Sequence, residues 1–342
     1  CQMSRKIVDC HHHYLDPANN RFQSFLRDLG ASVYLPEQYV SDTQPLCITH
    51  SVHVEAMPDS GIDEVKWVED LISQGRCEHV SAIVAQCDLS HPDAESYLTA
   101  LSLASSKRLR GIRYILDYDG EYGKGSLNGT HVSCSRHNLD YLRDPVPAAA
   151  FEQGFALLSN YNLSYDLQCA PVQLPAAAVL LAKHPDVCVC IDHMGKPHNL
   201  EVDVRPVSTS DGERQVFNIS EETARKLAVW RRGMQLMAAL PQVCVKLSML
   251  GYAVRGWHED VHKEQFLKSL VLEVIALFGA ERCMFASNYH INNSISDSDG
   301  EHPTGPTIPV LYDHFQAWVA DFSEEEQDSL FANTAKRFYR IH

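Results

Sequence analysis

The stretch "KIVDCHHHYLDP", Lys6 to Pro17, begins as a short apolar run with β-branched residues and passes into three histidines without a glycine. An open, doubly wound nucleotide-binding sheet usually places a glycine-rich turn after its first strand, because only glycine lets a phosphate come so close to the backbone. Its absence here argues against that fold and turns attention to how many similar runs follow.

Seven do: "LCITHSVHV" (46–54), "VSAIVAQ" (80–86), "GIRYIL" (111–116), "LSYDLQ" (163–168), "VCVCID" (187–192), "VCVKLS" (243–248) and "CMFAS" (283–287). Between them lie segments with helical spacing, such as "GIDEVKWVEDLISQG" with Gly75 as its stop and "SEETARKLAVWRRGMQLMAAL" with Ser220 as its cap. Asp144 before Pro145 marks another helix start. Eight strands alternating with helices predict an α/β fold, a closed (β/α)8 TIM barrel. It is expected to form a single domain over 1–342, with long catalytic-face loops after strands 4, 6 and 8, at Asp117–Asp144, Lys196–Ser220 and Tyr289–Pro306.

With 342 residues, 45% of them hydrophobic, the chain can bury a large core. Its 29 Lys and Arg against 44 Asp and Glu leave a net charge of −15, which opposes nucleic acid and anionic membrane surfaces as partners. No apolar run approaches the roughly 20 residues that span a bilayer. The expectation is a soluble, cytoplasmic protein that acts on a small molecule, with a homo-oligomer among its expected states. The 11 cysteines are an odd number, several in apolar runs, and read as reduced core residues. Cys188 and Cys190 lack the second pair that a structural zinc site needs.

A barrel carries its active site at the C-terminal ends of its strands, where alternate side chains face the lumen. Taking the polar parity as inward selects Asp9, His11 and His13 from strand 1, His53 and Glu55 from strand 2, Gln86 from strand 3 and Arg113 from strand 4. Strand 5 adds Asp166 and Gln168, strand 6 His193, strand 7 Lys246 and Ser248, and strand 8 Asn288. His11 and His13, two apart on an extended strand, can grip one metal ion or one substrate oxygen, with His12 turned away. Arg113 suits a substrate carboxylate or a structural ion pair. Lys246 can stabilise an oxyanion or neutralise the lumen acids. Tyr122, His131, His137, Tyr141, Trp257 and His290 are candidate contacts near the catalytic face, His290 for substrate.

The blocks "VDCHHHYLDP", "VHVEA", "GIRYIL", "LSYDLQCAPVQLPAAAVLLAKHPD", "IDHMGKP", "VCVKLSMLG", "RCMFASNYHIN" and "LFANTAKRFYRI" resemble, in order and over essentially the whole chain, the amidohydrolase superfamily. The resemblance is to its amidohydrolase-related TIM-barrel branch, which includes sugar-lactone and pyrone dicarboxylate lactonases. It implies that His11, His13 and His193 surround the reacting carbonyl, with or without one divalent ion, zinc or manganese. The pattern's strand-8 acid falls on Asn288, an amide that is a poor base and a poor metal ligand, so a metal-free centre is also expected. Strand 5 carries Asp166 where two-metal relatives have a histidine or bridging lysine, which argues against a two-metal centre.

The resulting expectation is a lactonase: His193, Asp166, Asn288 and Lys246 catalytic, His11, His13 and His193 around any metal, and Arg113, His53, Glu55, Gln86, Gln168 and His290 contacting an anionic substrate. Asp166 and Glu55 are the alternative bases. A non-oxidative decarboxylase of the same superfamily and a non-catalytic barrel that binds a small acid are the rival readings.

Overall fold

A computed structural model describes residues 5–28, 30–119, 137–209, 212–289 and 305–342. Eight parallel strands run around a nearly closed barrel: β1 (Lys6–His12), β2 (Cys47–Val54), β3 (Val80–Gln86), β4 (Leu109–Arg113), β5 (Ser164–Leu167), β6 (Val189–Ile191), β9 (Val243–Leu247) and β10 (Cys283–Phe285). The seam between β10 and β1 is closed beyond the last ladder. There Asn288 donates its N–H to His11 O at 2.8 Å, and His13 donates to Tyr289 O at 2.8 Å.

Helices cover the outside of the sheet. Gly61–Ser73 starts where Ser60 accepts the N–H of Asp63, and buries Val65, Val68 and Leu71. Glu221–Ala238 starts where Ser220 accepts the N–H of Thr223. Pro145–Leu157 follows Asp144 with proline in its first turn, although Asp144 makes no side-chain cap bond. Among the described residues no helix is long and apolar enough to cross a membrane. The described cysteines are all free and, Cys47 and Cys188 apart, buried.

Two expectations are corrected. The connection after the sixth barrel strand is not plain loop: residues 202–219 form an antiparallel hairpin, β7 (Val202–Thr209) with β8 (Gly212–Ile219). Its two strands pair only with each other, so they interrupt the strand–helix alternation without adding to the barrel.

The second correction concerns side-chain parity. The lower lumen is filled by a small apolar cluster, Val8, Cys10, Val52, Val54, Ala82, Val84, Cys190, Cys244, Met284 and Ala286, as a packed barrel requires. Val52 and Val54 therefore face inward. His53 lies on the helix side, its ring stacked on Tyr14 at 5.5 Å. Asp9 also lies outside the lumen, where it accepts from Tyr39 at 2.8 Å, from Ser287 Oγ at 2.7 Å and from Ser287 N at 2.9 Å. A register shift between Asp9 and His12 breaks the strict alternation. It lets His11 and His13 reach the cavity although Cys10 already faces the lumen below them.

Candidate active site

The ends of β1, β4, β5, β6, β9 and β10 bring together a fully enclosed polar centre. His11 lies between His13, with ring centroids 5.0 Å apart, and His193, at 4.9 Å. Burial is the main cause that holds His11 and His193 well below the ordinary imidazole range, and it brings His13 down to about 3. All three are neutral at physiological pH.

His13 is fixed at both nitrogens. Nδ1 lies 2.8 Å from Val54 O, a partner that can only accept, so Nδ1 carries the proton. Nε2 is then a lone pair and faces Asn288 Oδ1 at 3.1 Å, so two acceptors meet unless the amide is turned over, when its N–H, otherwise unpartnered among the described residues, donates to Nε2. His193 is held by Ser248 Oγ, 2.9 Å from Nδ1. Its Nε2 carries no hydrogen bond among the described residues.

His193 enters the site because its backbone is left-handed, with φ 55°. Strict parity after Cys188 and Cys190 sends Asp192 inward; the left-handed turn at the next residue sends His193 there as well. Asp192 was the functional residue missing from the sequence reading, and the alternation in "VCVCID" was the signal that could have found it. Its Oδ1 is 3.0 Å from Lys246 Nζ and 3.5 Å from His11 Nδ1, while Oδ2 takes Arg113 Nη1 at 3.3 Å. Burial opposes its ionisation, but the Lys246 charge and His11 outweigh that and hold the carboxyl well below the usual range.

Lys246, fully buried, is also paired with Asp166 Oδ2, which accepts from Tyr339 at 2.8 Å. Desolvation acts to lower the lysine, and the two aspartates more than reverse it, so it stays charged. Desolvation lifts Asp166 to about 6 against the pull of Lys246. Arg113 donates Nε to Glu55 Oε1 at 2.6 Å and Nη2 to Glu55 O at 2.5 Å, and Nη1 stands 3.4 Å from Gln168 Oε1. Its fork is therefore occupied by protein groups. Gln168 in turn donates to Asp117 at 3.0 Å, which also holds Lys196 at 2.5 Å.

Of the remaining expected contacts, Gln86 lies at the end of β3 beside Arg113 of β4. His137 stacks on Tyr114 at 4.8 Å, with Tyr141 beside both. Trp257 belongs to the core against His314 and Trp318. Tyr122, His131 and His290 lie outside the described residues.

One group of described residues offers metal-ligand atoms within 4.8 Å of one another: His11, Asp192 and His193. His13, expected in that set, is replaced by Asp192. Neutral imidazoles and an ionised carboxylate are the right donors for a divalent ion. The charges are not. Asp192 is already matched by Lys246 and Arg113, and the nitrogens of His11 face the same two cations at 3.1 and 3.3 Å. Glu55, Asp166 and Asp192 leave one negative charge beyond those two cations, but the His11 and Asp192 donor atoms that a divalent ion needs are already turned to Lys246 and Arg113, so the residues as arranged do not fit one.

The model of the family described as amidohydrolase matches residues 8–341. The chain belongs to this amidohydrolase family. Among its relatives is the uncharacterized protein y4mH of Sinorhizobium fredii, 27% identical over 347 residues and covering 98% of both chains. L-fucono-1,5-lactonase of Burkholderia multivorans is 27% identical over 227 residues, which is 62% of this chain and 64% of the relative. A crystal structure of a Burkholderia multivorans amidohydrolase with bound zinc superposes with a TM-score of 0.68 at 21% identity, covering 98% of this chain and 99% of that one. At that identity the two chains share a fold.

Proposed function

We propose that this amidohydrolase hydrolyses the ester of a lactone by direct attack of water, with His193 as the general base. The observation that carries this reading is the state of His193: neutral, oriented by Ser248 at 2.9 Å, and without a partner at Nε2 among the described residues. With Nδ1–H donated to Ser248, Nε2 takes a proton from water as its oxygen adds to the ester carbon. The negative charge that develops on the carbonyl oxygen is stabilised by the adjoining Lys246 and Arg113 cations, held in place by Asp192 before any substrate arrives. Collapse of the tetrahedral intermediate breaks the ring C–O bond, and the His193 imidazolium returns its proton to the leaving alkoxide. Water and lactone thus give a hydroxy acid.

Asp166 is less suited to the task. Its nearer oxygen is bound to Lys246 and Tyr339, so it serves to fix the ammonium. The lactonase relative supports the reaction class.

The test is a panel of lactones offered to the purified protein, with acid release followed by pH-stat, beside His193→Asn. Opening of at least one lactone, reduced by about 10³-fold or more in the variant, is expected of a general base that also returns the proton. Release of carbon dioxide from aromatic acids with no lactone opened would replace this reading by decarboxylation.

A further inference from the structure

The end of β6 runs into four consecutive residues with a left-handed backbone: His193 (φ 55°), Met194 (φ 57°), Gly195 (φ 69°) and Lys196 (φ 57°). Glycine enters that region freely, but in the other three the Cβ crowds the following carbonyl oxygen. Such residues visit it singly rather than as a turn, so local preference alone would unwind this one. We infer that Lys196 is a positioning residue for His193: its ammonium, bound to Asp117, keeps the turn wound, and the wound turn keeps the imidazole in the centre. The inference rests on the hydrolase reading only for its effect on turnover.

Lys196 is tied through both its backbone and its side chain. Its N–H donates to His193 O at 2.9 Å, which closes the turn on the residue that it positions. Its Nζ lies 2.5 Å from Asp117 Oδ2, and the two side chains are only 5% and 2% exposed, so water competes little for the pair. The ammonium cannot swing out without leaving a buried carboxylate unmatched, which makes the tie stiff.

The rest of the turn is held where this tie can act on it. Trp230 Nε1 donates to Met194 O at 2.6 Å, and a Cβ on Gly195 would stand 2.7 Å from Met234 Sδ and 3.2 Å from Leu174 Cδ1. The middle of the turn is thereby pressed against the helix Glu221–Ala238, while Ser248 Oγ meets His193 Nδ1 at its start. Lys196 fixes its exit. The same Asp117 oxygen accepts Gln168 Nε2 at 3.0 Å, and Gln168 Oε1 faces Arg113 Nη1 at 3.4 Å. Side chains therefore connect the exit of the turn to the guanidinium beside His11, and the base and that cation are set from one frame.

The experiment compares Lys196→Met with Lys196→Gly. Both remove the ammonium and leave Asp117 without it, and glycine removes more packing, but only glycine lifts the backbone's resistance to left-handed winding. Turnover of lactone is expected to fall in both, with kcat about 5-fold or more lower in Lys196→Met than in Lys196→Gly and KM little changed. The second readout is independent of turnover: nitrogen NMR of histidine-labelled protein, with the His193 signals assigned by their loss in His193→Asn. The Nδ1–H signal of the ring held by Ser248 is expected to shift or broaden in Lys196→Met and to return toward its wild-type position in Lys196→Gly.

A folded Lys196→Met with the wild-type Nδ1 signal and kcat would overturn the inference. So would a Lys196→Gly equal to or worse than Lys196→Met in both readouts, which would assign the effect to charge or packing alone. If the wild type opens no lactone, the nitrogen spectra still decide the positioning, and only the hydrolase reading falls. Circular dichroism checks the fold of each variant. Asp117→Asn, which keeps the shape and loosens the same bond, takes the place of a Lys196→Met that does not fold, and an undisturbed His193 signal there overturns the inference equally.

Discussion

Lys246 Nζ stands 3.0 Å from Asp192 Oδ1 and 3.1 Å from His11 Nδ1, in the place where a metal ion would find two of its donors. The ammonium is the cation around which this buried centre is arranged. Removing it with Lys246→Met frees the carboxylate and the imidazole together. Zinc titration followed by calorimetry and elemental analysis should show the folded variant binding about one equivalent, at least 10-fold more tightly than the wild type, since ligands must shed a competing positive charge before they take the metal. Asp192→Asn in the same background should abolish the gain. A wild type that binds one equivalent tightly, and no better in the variant, would show that Lys246 and a metal coexist.

Asp192 also carries weight in folding. Asp192→Asn leaves Lys246 with Asp166 alone and takes the charge partner from Arg113 Nη1. Breaking a buried ion network by removing one partner costs about 3–5 kcal/mol, and urea denaturation should show a loss in that range. A change below about 1 kcal/mol would mean that water already compensates these charges.

Asn288 is read as a donor to His13 Nε2. A carboxylate there has no proton to give, so Asn288→Asp places two acceptors 3.1 Å apart unless His13 becomes protonated. The expected outcome is an imidazolium at His13 with its titration moved upward from about 3, visible by nitrogen NMR, and a fall of about 10-fold or more in kcat at neutral pH. A gain in activity would instead identify Asn288 as the lost base of a disabled site.

Acid should unfold the protein steeply. His13 and His53 titrate at about 3 and His79 at about 4 in the folded chain, chiefly through burial. Unfolded histidines titrate near 6.5, so below that value the unfolded state binds more protons and stability falls as pH falls. Each such group contributes about 1.4 kcal/mol per pH unit across its window. Asp166, raised to about 6, acts the other way: between its unfolded value and about 6 its contribution favours the folded state as pH drops. Asp9 and Glu64, raised by burial, act with Asp166, but His11, His12 and His193, lowered by burial, join the three histidines above, so the imidazoles dominate. Urea midpoints at pH 7, 6 and 5 should decline at an increasing rate, and a flat profile would show that these rings are hydrated in the folded state.

Gly61→Ala tests the packing of the helix start against the end of β3. Its Cβ would lie 2.1 Å from the backbone oxygen of Gln86, and backbone yields less readily than a side chain, so a loss of about 1–3 kcal/mol is expected in thermal or urea unfolding. An unchanged stability would mean that the helix start slides away without cost.

The alternation of β-branched runs with helical segments determined the barrel by itself, because a strand buried on both faces must be a nearly continuous apolar run and eight such runs close a sheet. The same pattern located His11, His13, Arg113, Asp166, Lys246 and Asn288 at the mouth, since each stands at the polar end of an apolar strand. Only the tertiary structure decided which way the exceptions turn. The register shift between Asp9 and His12 and the left-handed backbone of His193 change the side-chain direction by one residue, and neither leaves a trace in hydrophobic periodicity. His53 and Asp9 were misplaced by reading polarity as inwardness, where burial against Tyr14, Tyr39 and Ser287 satisfies them on the helix side. The pairing of Arg113 with Glu55 and of Lys246 with Asp192 was beyond the sequence for a further reason. A charge can be matched by any opposite charge within reach, and reach is a property of the closed barrel, not of the chain.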